Sequence, residues 1–148
     1  MGSRRFVRWG GLMAAPMLVG GGVLGVGGVG ASTRTPHLVV RPASGLHSGA
    51  VVRVGGTGFQ PGDTVFLVEC LRSAKGQAGC RVVGIPPSVT ITKKGVLPWI
   101  RMKVVTGKIG NGTCGTTVKN LGSCAVSAGN ATGKDSAQAP IIFARPRK

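Results

Sequence analysis

The chain has 148 residues, with 19 lysines and arginines against three acids and a formal net charge of +16. Its 27 glycines follow no collagen period and form no single tract, and 42% of residues are apolar, which excludes fibrous and disordered classes and suits one small domain. Three acids (Asp63, Glu69, Asp135) and two histidines (His37, His47) leave few combinations for general acid–base work, and no serine stands in a nucleophile-elbow context. No catalytic residue is assigned, and the chain is expected not to be an enzyme.

Residues 1–31 read as a signal peptide. Arg4, Arg5 and Arg8 make a positive start, residues 10–31 carry no charge, and Val29-Gly30-Ala31 places small or permitted residues at a cleavage site. The alternative is an uncleaved membrane anchor formed by residues 10–31, a stretch long enough to span. Nine of those residues are Gly, which weakens a spanning helix. Cleavage after Ala31 leaves a secreted, extracellular domain over residues 32–144 and a basic tail over 145–148, with no stable membrane insertion. The mature chain carries +13, because the leader holds three arginines and no acid.

Beyond the leader the apolar period is two, the mark of half-buried strands. Leu38 and Val40 alternate with Val39 and Arg41, and Val52 and Val54 with Val51 and Arg53. Phe66, Val68 and Cys70 share a face opposite Glu69. Val89 and Ile91 follow, then Ile100, Met102 and Val104 against Trp99, Arg101 and Lys103. Cys124, Val126 and Ala128 make another face, and Ile141 with Phe143 the last. Turns are marked by Gln60-Pro61-Gly62-Asp63, by Lys93-Lys94-Gly95 and by Asn111-Gly112, the last a tight hairpin signal. No stretch after residue 31 reads as a helix of three turns. Short strands with turns at this spacing predict an all-β sandwich or barrel.

Cys70, Cys80, Cys114 and Cys124 are even in number in an exported chain, which argues for two disulfides with three pairings open. The two local pairs would each close a ten-residue step and restrict the unfolded chain by about 2.5 kcal/mol. A metal site fails on spacing: there is no C-x-x-C, and both histidines lie far upstream.

Several segments carry a resemblance: Pro42 to Leu46, Gly49 to Val54, Gly58-Phe59-Gln60-Pro61-Gly62, Val68-Glu69-Cys70, Ser88-Val89-Thr90, Cys124-Ala125-Val126, Gly129-Asn130-Ala131 and Ile141-Ile142-Phe143, in register with the four cysteines. Over about Leu38 to Ala144 the chain resembles the neocarzinostatin family of enediyne-antibiotic apoproteins. The resemblance implies a seven-stranded immunoglobulin-like Greek-key sandwich with disulfides Cys70–Cys80 and Cys114–Cys124. It implies a carrier with a cleft beside the first disulfide, lined by Leu71, Arg72, Ala78 and Ile85; the chain itself is expected to be a monomer. In the family that cleft holds a non-covalent chromophore, a small hydrophobic molecule whose chemistry is its own. Family carriers place aromatic rings where this chain has Arg72, Ala78 and Ile85, so a flat polycyclic ligand is expected to bind poorly.

A second reading rests on charge. Trp99, Arg101 and Lys103 share strand parity, which suggests an outward ring among cations that touches a polyanion, either DNA without sequence preference or a cell-wall polymer. The rival is a Trp folded over the stems of its basic neighbours. The leader reading has a direct test: the mature protein recovered from culture medium should begin at Ser32 by N-terminal sequencing, whereas an intact Met1 in the membrane fraction would establish the anchor.

Overall fold

The computed structural model describes residues 34–146. The expected signal peptide, 1–31, lies outside the described residues, as do Ser32, Thr33, and Arg147 and Lys148 of the expected basic tail. Every regular element apart from two single 3-10 turns is a strand: β1 (His37–Arg41), β2 (Val51–Thr57), β3 (Thr64–Leu71), β4 (Cys80–Arg81), β5 (Ser88–Thr90), β6 (Val96–Lys103), β7 (Gly107–Ile109), β8 (Gly112–Cys114), β9 (Cys124–Gly129) and β10 (Ser136–Ile141). All pairings between these strands are antiparallel.

Two sheets enclose the core. One has the order β1-β2-β6; the other runs β10-β9-β3-β4, with β5 also on β3. β4 pairs with the Glu69–Cys70 end of β3 and β5 with the Thr64–Phe66 end, so they form one interrupted edge. Ten strand segments thus stand where the resemblance implied seven. The interrupted edge counts as one of seven positions in the two sheets, and β7–β8 forms a separate ribbon. Pro98 and Pro140 sit on β6 and β10, both at sheet ends, where a missing amide hydrogen breaks no inner ladder.

The alternating residues meet between the sheets. Leu38, Val40, Val52, Val54 and Leu97 come from one side, and Val65, Leu67, Val126 and Ile141 from the other. Phe59 and Phe143 close the ends and are fully buried. The turn before β3 follows the Pro61-Gly62 signal: the Asp63 amide donates to Gln60 O at 3.2 Å, and Gly62 has φ 83°. The ribbon turn falls one residue earlier than the Asn-Gly signal. Ile109 pairs with Gly112, so the turn is Gly110-Asn111. Gly112 lies in β8, where a Cβ would come 2.7 Å from Leu71 Cδ1.

Both local disulfides are formed, Cys70–Cys80 and Cys114–Cys124, and there is no free cysteine among the described residues. Peptide mapping without reduction should recover these two links. Leu67, 1% exposed at the centre of the core, should be costly to truncate. Leu67→Ala is expected to lower unfolding free energy by about 2–5 kcal/mol in urea titration.

Candidate functional site

Strand β3 has two faces with different duties. Val65, Leu67 and Glu69 are buried, while Phe66 and Val68 are more exposed on the opposite side. The register puts Gly129 beside Phe66 and Ser127 beside Val68, and Ser136 and Gln138 of β10 continue the same rows. Small residues therefore floor a groove on the outer face of the five-stranded sheet, where Gln138 Nε2 donates to Ser127 Oγ at 3.0 Å. One wall is the loop closed by Cys70–Cys80, with Ala74, Gly76 and Gln77, continued by Val82 and Pro86. The other is the β9–β10 connection, Asn130 to Gly133. The groove has a volume of about 940 Å³. Among the described residues no ionisable side chain lines it, and the one aromatic ring is Phe66, 37% exposed.

The four residues assigned from the resemblance stand beside this groove and do not line it. Leu71 packs against the core. Arg72 is exposed; its amide donates to Ser123 O at 2.8 Å and its guanidinium to Gly122 O at 3.4 Å. Ala78 is exposed in the 3-10 turn Gln77–Gly79, and Ile85 is 93% exposed. In three cases the groove takes the chain neighbour instead: Cys70, Gln77 and Pro86. Sequence reasoning did not single out Phe66, Val68, Asn130 or Gln138 as groove residues. The parity of Phe66 and Val68 with Cys70 was the available signal.

Trp99, Arg101 and Lys103 are brought together on the outer face of the other sheet, all three exposed. Trp99 is 45% exposed and lies against Gly55, whose Cβ, if present, would be 2.8 Å from Trp99 Cδ2. The cations beside the ring come from neighbouring strands: Arg41 Cζ is 5.6 Å and Arg53 Cζ 5.5 Å from its centroid.

Against known proteins, a family model described as the neocarzinostatin family matches residues 38–143. The chain belongs to the neocarzinostatin family. Among solved structures, macromomycin is similar at 28% identity with a TM-score of 0.59, covering 74% of this chain and all of that one. Apokedarcidin, known from its solution conformation, is 25% identical with a TM-score of 0.48, covering 74% of this chain and 99% of that one. A comparison with curated proteins finds no match.

In this neocarzinostatin-family domain the three acids hold the fold together. Asp63 Oδ2 accepts from Asn130 Nδ2 at 2.8 Å, and Asp135 Oδ2 from the Gln60 amide at 2.9 Å, which ties the turn before β3 to the β9–β10 connection. Glu69 is 2% exposed between the sheets. Its Oε2 accepts from the Val105 amide at 3.0 Å, and its Oε1 is buried with no hydrogen-bond partner. A cavity of about 210 Å³ adjoins it, with Arg81 and Lys103 in its lining.

Burial pushes the Glu69 carboxyl from 4.5 up to about 7, against the Val105 hydrogen bond and the positive charge of Arg81. Between those two values the unfolded carboxyl has released its proton and the folded one keeps it. The contribution of this group to stability is therefore full below pH 4.5 and is lost as pH rises through 7, by about 3 kcal/mol. Glu69→Gln should flatten this decline, as read by urea unfolding from about pH 4 to pH 8. An unchanged slope in the variant would place the titration elsewhere.

Proposed function

We propose that the protein is a secreted, non-enzymatic carrier that seats a small neutral ligand in the groove over β3, β9 and β10. One observation carries this reading: in a domain with an expected mature charge of +13, no ionisable side chain among the described residues lines the groove. Ions gain nothing there. A largely aliphatic molecule gains burial against Phe66, Val68, Val82 and Pro86, with Gln77 available to orient its polar groups. The carrier role is supported by family membership and by the size of the groove, which is in the range of small-molecule sites.

The lining does not fit a flat polycyclic chromophore held by stacking. A single half-exposed ring, Phe66, offers one aromatic contact where such a ligand needs several. The expected ligand is correspondingly less aromatic, and no chemical step is assigned to it.

Native mass spectrometry of protein from its own producer should show a neutral small molecule bound one to one. Ser127→Trp, which fills the groove floor, should abolish it. Phe66→Ala should weaken it about two- to tenfold by removing the one aromatic ring. Retention of the ligand by Ser127→Trp at full stoichiometry would place the binding site elsewhere.

A further inference from the structure

The outer face of the three-stranded sheet, on the other side of the sandwich from the groove, holds an arrangement that the carrier reading does not use. Register puts Arg41 of β1 opposite Arg53 of β2, and Arg53 opposite Arg101 of β6. Three exposed arginines thus stand side by side in one row across the sheet. Lys103 occupies the adjoining row opposite Val51, and Trp99 lies on Gly55 on the other side of the arginines. Like charges directly opposite on neighbouring strands repel. Among the described residues no carboxylate relieves them: the three acidic side chains are held by Asn130, Gln60 and the Val105 amide. A counter-charge from outside the chain would relieve the row.

We propose that this face binds single-stranded nucleic acid, with Arg41, Arg53, Arg101 and Lys103 meeting phosphates and Trp99 stacking on a base. The row gives a track of cations at the strand spacing, about 4.8 Å. Trp99 supplies a flat surface beside it. One side of the ring rests on the Gly55 backbone, the guanidinium carbons of Arg41 and Arg53 lie over it within cation–π range at 5.6 and 5.5 Å from its centroid, and 45% of the residue stays exposed for a base to meet. A cationic track beside a sequence-tolerant stacking platform is the pattern of single-strand binding surfaces. A lipid surface fits less well, because it calls for an apolar face to insert, and the large apolar side chains exposed on this face are Trp99 and Val51 alone. A base-free polyanion would match the charges and leave the exposed part of the ring unused.

The test is a salt series with the full chain and oligodeoxythymidylate of about 15 nucleotides, a length suited to such sites. Arg41→Gln, Arg53→Gln and Arg101→Gln combined should flatten the slope of log K against log salt by about 2, at about 0.7 for each phosphate that is no longer neutralised. A control lacking the same charge elsewhere, Lys93→Gln, Lys94→Gln and Lys119→Gln combined, should leave the slope unchanged. Trp99→Ala should weaken the oligonucleotide about tenfold and leave inorganic polyphosphate unaffected. Circular dichroism of each variant confirms that it folds. Equal flattening by both triple variants would overturn the proposal in favour of diffuse charge. An equal or absent effect of Trp99→Ala on the two polymers would overturn it in favour of a base-free polyanion. Tighter, Trp99-dependent binding to phosphatidylglycerol vesicles than to the oligonucleotide would overturn it in favour of a membrane surface.

Discussion

The groove side of the molecule depends on the register between β3 and β4, where Cys70 faces Cys80 and the two sulfurs are bonded. β4 is two residues long and could not hold its place by ladder hydrogen bonds alone. The disulfide keeps it on β3, and β5 resumes the same edge farther along. Between them the chain leaves the sheet, which exposes Val82, Val83 and Ile85. The ribbon β7–β8 braces this region from beneath. Its turn residue Gly110 has φ 52°, and a Cβ there would lie 2.6 Å from the Gly79 carbonyl carbon. The second disulfide then ties Cys114, at the end of the ribbon, to Cys124 at the start of β9. Both staples therefore support the groove, one at its wall and one behind its floor.

Charge is sorted by face in the same way. The exposed side of the three-stranded sheet carries Arg41, Arg53, Arg101 and Lys103, while the exposed side of the other sheet lines an uncharged groove. With three acids in the chain, each structural, little negative charge is left to soften the basic face. Glu69 is the costly member of the three, since Oε1 is buried without a partner between the sheets. Holding that carboxyl neutral at acidic pH is the cheaper state, which ties the stability of the strand behind the groove to pH.

The family resemblance, the all-β class and most core positions were legible in the sequence, because a period of two needs no tertiary information. Leu38, Val40, Val52, Val54 and Ile141 are buried as their alternation implied. The local cysteine spacing agreed with the pairing that the family implied. Parity also sorted Trp99 from Ile100 and Phe66 from Glu69. What alternation leaves open is which of two faces meets the other sheet. In β3 the face bearing Glu69 went inside, and the more apolar face of Phe66, Val68 and Cys70 went to the groove. Sandwich packing decided this, since Val65 and Leu67 share the Glu69 face and have partners across the core. The groove lining depended on the path of two irregular connections, 72–79 and 82–87, which have no period to read. Leu71, Ala78 and Ile85, mapped from the cysteines, are the chain neighbours of the groove residues Cys70, Gln77 and Pro86. The arginine row was equally hidden. Arg41, Arg53 and Arg101 are far apart in the chain, and only strand register makes them neighbours.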